Sequence, residues 1–227
     1  MLHFYCILFS GSVGVLMTEV KKQTHRQRLA EVTRQSIIQA ARKLFVAHGY
    51  RTATMSAIAS EAGVANRTVY NTFATKQELL AAVCTAWLEE AEVRPLIVDA
   101  LAQADDHSKL ERAARWSRQM HERGLEVETL FEAAYWEDPE LRSMFDRWAG
   151  ERKAAMGQVI TTLNLQPNLT GRSAVALFLA LSSAQVYREL VEGAGWSPRR
   201  YENWLGETLA QQLLVAHPQS ELLEGEA

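Results

Sequence analysis

The chain has 227 residues, 48% of them hydrophobic and 22% charged, and a formal net charge of −3. That composition suits one large domain, or a small one joined to a larger, with ample material for a core. Its two cysteines, Cys6 and Cys84, exclude a disulfide framework and a cysteine-based metal site. Five prolines and few β-branched runs point to an all-α protein, and a reducing cytoplasm is the simplest setting.

The charge is unevenly divided. Residues 17–80 hold ten Lys/Arg against four Asp/Glu, and residues 81–227 hold fourteen against twenty-three. A basic N-terminal module on an acidic helical body suggests that the first meets a polyanion and the second does not.

Residues 1–16 carry no charge. The apolar run there falls short of the ~20 residues that cross a bilayer, and no Lys or Arg precedes it as in a signal peptide. Met17 opens a polar stretch, so translation is expected to start there; a signal or anchor and an unstructured apolar tail are the alternatives. The segment "KKQTHRQR", residues 21–28, reads equally well as a minor-groove arm or as a solubilising tail. Residues 1–33 are therefore expected to be a leader and basic arm without fixed structure.

From Arg34, Ile37, Ala41, Leu44, Phe45 and His48 fall at the spacing of one helix face, and Gly49 ends it. Thr54 is placed to cap a second helix carrying Met55, Ile58, Ala59 and Ala62, which Gly63 terminates. A third, from Ala65 to Thr72, turns Val69 inward, with Phe73 just beyond. Isolated helices this short are marginal in water, so packing on the first helix must hold them. Two short helices crossing at a tight glycine turn are what a helix-turn-helix needs, with the second entering the major groove. The residues left outside, Asn66, Arg67, Thr68, Tyr70 and Asn71, are donor-rich and include no acid, which suits DNA.

The stretch "TMSAIASEAGVANRTVYNTFATKQELLAAV" resembles the signature of the TetR family of bacterial transcriptional repressors. Ala62-Gly63-Val64, Thr68-Val69-Tyr70, Phe73, Lys76 and Leu79-Leu80 stand in register, and the resemblance covers about residues 34–83. Two departures are Ala65, where a capping Ser is common, and Ala57, where an acid is frequent. The resemblance implies that Arg67 and Asn66 approach bases. It puts Tyr70, Asn71 and Thr72 nearer the phosphates, although Tyr70 could instead simply pack. Thr54 would cap the second helix against the DNA backbone, and Lys76 would neutralise a phosphate.

Beyond Leu80 the apolar stripe continues through Val83, Cys84, Trp87 and Leu88, and Pro95 marks a break. Asp138-Pro139 and Ser197-Pro198 read as caps followed by Pro at N1, and Thr170 as another cap. "AVALFLALSSA", residues 174–184, is apolar nearly all round, and the last helix sets Tyr201, Trp204, Leu205, Leu209 and Leu213 on one face. These two helices resemble the pair through which the family dimerises, which implies a homodimer with Leu177, Leu181, Ala184, Tyr201, Leu205 and Leu209 at its interface.

The resemblance also implies an apolar effector pocket in the body. Its candidate walls are Trp87, Trp116, Met120, Phe131, Tyr135, Trp136, Met144, Phe145, Trp148 and Met156, and Glu132 could select a cationic or hydrogen-bonding ligand. For any one of the apolar side chains ordinary core packing is the leading reading, and for Glu132 a solvated helix face. Cys84 reads as an inert buried thiol, no histidines lie at metal-ligand spacing, and no catalytic motif is present.

The sequence thus predicts an all-α protein with a helix-turn-helix domain at 34–80 and a ligand-binding and dimerisation domain at 81–227. Its expected function is that of a cytoplasmic homodimeric repressor on a palindromic operator, released by a small apolar or aromatic ligand, without cofactor, metal or membrane. A DNA-bound scaffold for a protein partner, and a small-molecule binder with a vestigial DNA module, are the competing readings.

Overall fold

The computed structural model describes residues 24–215; the leader, Met17, Lys21 and Lys22 lie outside the described residues. The described chain is all-α, with one isolated bridge between Leu165 and Leu214. In order the helices are α1 (His25–His48), α2 (Met55–Glu61), α3 (Asn66–Thr72), α4 (Lys76–Glu90), α5 (Val93–Ala102) and α6 (Asp106–Glu122). There follow α7 (Leu125–Glu137), α8 (Pro139–Ile160), α9 (Gly171–Leu181), α10 (Ala184–Tyr187), a π-helical turn (Arg188–Gly193) and α11 (Pro198–Leu213). They form two compact units: residues 24–90 with Gly124–Arg147, and Ala91–Arg123 with residues 148–215.

The first unit is organised on α1, which begins nine residues before Arg34. Thr24 accepts a hydrogen bond from the Gln27 N–H, and the Gln27 side chain accepts from the Thr24 N–H. This reciprocal capping box satisfies two otherwise orphaned donors and nucleates the helix. Residues 25–33 are therefore helical rather than an arm without structure. Ile37, Ile38, Ala40, Ala41 and Phe45 are buried, whereas His48 is exposed. The buried arc is wider than one stripe because α2, α4 and α7 all pack on α1. Phe45 has no exposed surface and stands 5.4 Å from the Tyr50 ring; burying such a side chain stabilises by about 1.5–3 kcal/mol.

Arg42 joins three helices of this unit. Its guanidinium lies 2.6 Å from Glu90 at the end of α4 and 2.5 Å from Glu126 at the start of α7. Burial opposes its charge, but the two carboxylates outweigh that and hold its pKa above the ordinary value. At Gly124, just before α7, an added Cβ would fall inside the Trp87 indole, so this backbone lies directly on the ring.

In the second unit α6 is the central helix, packed by α5 and α11. Trp116 stacks on Phe178 at 6.1 Å, and Arg118 pairs with Glu202 of α11 and with Glu122. Asp106 accepts from the Asn164 N–H at 2.8 Å and from Lys109 at 3.0 Å, which ties the start of α6 to the chain after α8. Ser117, His121, Ser182 and Tyr201 form a buried polar cluster. The Ser117 hydroxyl lies 3.2 Å from the Tyr201 hydroxyl, and His121 Nε2 is 3.0 Å from the Ser182 carbonyl.

Caps at Thr54, Thr170 and Ser197 form as their sequences predict, each accepting from the N–H three residues on. Pro95 lies within the first turn of α5, and the break precedes it at Glu92, whose φ is 53°. The apolar run 174–184 is not one helix. α9 stops at Leu181, Ser182 closes it, and Ser183 caps α10.

Tyr201, Leu205 and Leu209 have no exposed surface within a single chain, and Ala184 retains 8%. They are core of the second unit rather than surface open to another subunit, because α11 turns this face onto α6 and α9. Leu177 and Leu181 are half-buried, and Ala176 and Ala180 beside them are exposed.

Candidate nucleic-acid interface

The site grows out of the turn between α2 and α3. Gly63 adopts φ 67°, a left-handed conformation that costs a residue with a Cβ roughly 1–2 kcal/mol. Its N–H donates to the Ser60 carbonyl and that of Val64 to the Ala59 carbonyl, closing the end of α2. Thr54 Oγ1 accepts from the Ala57 N–H at 3.1 Å. Ala65 precedes α3 without any side-chain cap, as its sequence requires.

Seven residues make a helix too short to stand alone. Val69, with no exposed surface, and Phe73, with 2%, pin α3 to the unit. Arg34 lies 4.5 Å over the Phe73 ring, a cation–π contact that covers this anchor. Helical spacing then turns Asn66, Arg67, Tyr70 and Asn71 outward, and all four are exposed. Thr68 and Thr72 are half-buried, and the Thr72 hydroxyl donates to the Thr68 carbonyl at 2.8 Å. The outward face thus offers amide, guanidinium and phenol donors with no carboxylate. Those are the groups that read base edges and bind phosphates.

Lys76 stands differently from its sequence expectation. Its Nζ donates to the carbonyls of Tyr50 at 2.7 Å, Ala53 at 3.0 Å and Arg51 at 3.2 Å, and lies 4.5 Å over the Tyr50 ring. Burial pushes its pKa below the ordinary lysine value, with Asp138 opposing and Arg51 adding to the shift. The carbonyls bonded by this ammonium belong to the loop between α1 and α2. Arg51, in that loop, is an exposed cation that the sequence reading did not single out, and Arg26 and Arg28 of the segment 21–28 are exposed on α1.

The aromatic candidates for an effector pocket divide between the units. In the first, Trp87, Phe131, Phe145, Tyr135 and Trp136 form a continuous run with successive ring separations of 6.2, 5.3, 6.2 and 5.1 Å. Met144 is buried there, while Glu132 is exposed. Trp136 is 76% exposed, so it walls no enclosed site in this unit. Trp116, Met120 and Met156 are buried in the second unit, where Trp148 is half-buried. A groove of about 440 Å³ between α6 and α11 has a charged lining that includes Arg115, Arg199, Glu111 and Glu207. None of the predicted aromatic walls lines it.

The family described as bacterial regulatory proteins, tetR family, matches residues 37–83, which contain α2, the glycine turn and α3. The first unit therefore holds a helix-turn-helix that is similar to that family's module over residues 37–83. Among curated proteins it resembles the HTH-type transcriptional regulator TcmR of Streptomyces glaucescens, with 39% identity over 74 residues. That match covers 31% of this chain and only 33% of the relative. Among solved structures, NalD, the secondary repressor of the MexAB-OprM multidrug efflux pump in Pseudomonas aeruginosa, superposes with a TM-score of 0.66 at 20% identity. It covers 84% of this chain and 100% of its own. A protein from Saccharomonospora viridis solved in complex with choline gives 0.62 at 18% identity, covering 82% of this chain and 100% of its own. At such identities the structural likeness concerns the fold alone.

Proposed function

We propose that this protein is a homodimeric repressor that binds a palindromic DNA operator and is released by a small apolar or aromatic ligand. The observation that carries the reading is α3: a short helix held by Val69 and Phe73 that shows solvent Asn66, Arg67, Tyr70 and Asn71 and no acid. Arg to guanine and Asn to adenine are favoured pairings in the major groove, and each good bidentate pair discriminates by about 1–3 kcal/mol. DNA as partner makes the cytoplasm the site of action.

A dimer is what such a module needs, since two recognition helices about 34–36 Å apart read the two halves of a palindrome. The face that remains for it is on α9, through Leu177 and Leu181 with Ala176 and Ala180. Residues 171–193 are long and apolar enough to cross a membrane by length and composition, yet only 33% of their apolar window is buried in the chain. The break at Ser182-Ser183 and the charges Arg188, Glu189 and Glu192 favour a partner helix over lipid as its cover.

Ligand binding is supported in the second unit by two buried polar atoms on α6. Trp116 Nε1 and Gln119 Oε1, one turn apart, have no hydrogen-bond partner among the described residues. Each such orphan costs about 1–3 kcal/mol. An apolar ligand carrying a hydroxyl or carboxamide would satisfy donor and acceptor together.

The test is selection of duplexes from a random-sequence pool by the full chain, followed by footprinting on the enriched sequence. An enriched inverted repeat protected in both halves is the expected result. No enrichment at low salt would overturn the DNA-binding reading.

A further inference from the structure

We propose that Lys76 is a positioning residue that sets the angle of the recognition helix from behind, and that Arg26, Arg28 and Arg51 with Arg67 supply the cationic contacts to DNA. This rests on the DNA-binding reading above and assigns its electrostatics residue by residue.

An ammonium has three donors, and Lys76 directs its donors at the carbonyls of Tyr50, Arg51 and Ala53 while its charge lies over the Tyr50 ring. A phosphate contact would require at least one of these bonds to break and the ammonium to leave a partly buried site. The bonds join two segments that flank the helix-turn-helix. The carbonyls lie immediately before Thr54, which caps α2; Lys76 itself opens α4, immediately after α3. The α4 side of the junction is fixed as well. Glu78 N–H donates to Thr75 Oγ1 at 3.0 Å, and the Glu78 carboxylate accepts from the Ala74 N–H at 2.9 Å. With both flanks of α2–α3 tied together, rotation of α3 about its Val69 and Phe73 anchors must distort the 50–53 loop.

The other cations of the module sort in the same way. Arg34 lies over Phe73, Arg42 is paired with Glu90 and Glu126, and Lys43 is paired with Glu61. Arg26, Arg28, Arg51 and Arg67 are exposed and have no ion pair among the described residues. A module that looks uniformly basic in sequence thus divides into cations bound within the fold and cations open to a polyanion.

The two roles for Lys76 predict different DNA binding. A phosphate ligand contributes to selected and scrambled duplexes alike, and its loss lowers the slope of log K against log salt by about 0.9 per contact. A positioning residue acts on the fit to base edges. Lys76→Met is therefore expected to weaken binding to the selected duplex about tenfold, to leave a scrambled duplex of equal length within about twofold, and to keep the salt slope unchanged. Arg51→Ala is expected to weaken both duplexes and reduce the slope. A Lys76→Met variant that weakens both equally with a slope reduced by about 0.9 would make Lys76 a phosphate ligand. A lower Tm with an unchanged ratio of selected to scrambled affinity would make it a stability residue only.

Should Lys76→Met fail to fold, nitrogen-15 NMR of the lysine ammonium groups in the wild-type chain decides the point. A slowly exchanging Lys76 Nζ resonance without DNA, unmoved by adding duplex, is expected. Rapid exchange with water and a shift on adding DNA would overturn the proposal. Wild type that binds neither duplex would instead remove the DNA-binding reading itself, and the positioning role with it.

Discussion

Asp106 shows how one side chain fixes a helix start and leaves a signature in pH. Burial raises its pKa, but the Asn164 N–H and Lys109 outweigh that and hold the carboxyl below its ordinary value. A depressed folded pKa contributes stability above the unfolded value of about 3.9, and that stability is lost as pH falls through the lower folded value. Asp106→Asn is accordingly expected to lower Tm by about 2–4 °C at pH 7 and to match wild type once the pH is below the folded pKa. Thermal unfolding of both chains from pH 7 downward checks this; a deficit that does not shrink as the pH falls would mean that packing rather than charge is responsible. At this scale the outward face of α3 was legible in sequence. Turn chemistry and a seven-residue helix fix which side of Asn66, Arg67, Tyr70 and Asn71 faces out. The hydrogen bonds of Lys76 were not, because the carbonyls that accept them lie 23 to 26 positions earlier in the chain, and local spacing carries no record of them.

Helix starts at Thr54, Thr170 and Ser197 were legible for the same local reason: a capping hydroxyl bonds an N–H three residues on. The Thr24-x-x-Gln27 box obeys that rule too, and was obscured by the basic residues around it. The end of α9 was less visible, since an apolar run does not announce that Ser182 will be buried and Ser183 will cap a new turn. The entry to α7 is set by shape instead. The Gly124 backbone lies on the Trp87 indole, so Gly124→Ala is expected to cost about 1–3 kcal/mol in denaturant unfolding and to perturb the near-UV circular dichroism of Trp87. Gly150→Ala, inside α8 with open space at its Cβ, is expected to stabilise by about 0.4–1 kcal/mol. Equal effects at the two positions would contradict the close approach at Gly124.

At the scale of the molecule, the all-α class was readable from composition and periodicity, whereas the return of Gly124–Arg147 to the first unit was not, because no local pattern marks which unit a helix joins. Which apolar face of the last helices belongs to the core was not readable either, because buried and interfacial leucines read alike until α11 is seen to turn Tyr201, Leu205 and Leu209 onto its own unit. Sedimentation of Leu181→Glu is expected to show monomer with a Tm within a few degrees of wild type. Leu205→Glu, by contrast, should fail to fold. A Leu181→Glu dimer would move the interface elsewhere. The central claim, that the exposed face of α3 reads a DNA sequence, is tested most directly by titrating the selected duplex with wild type and Arg67→Ala across a salt series. The account predicts that the variant binds at least tenfold more weakly and loses most of its preference over a scrambled duplex. Equal affinities for the two duplexes in wild type, or a variant indistinguishable from it, would contradict the account.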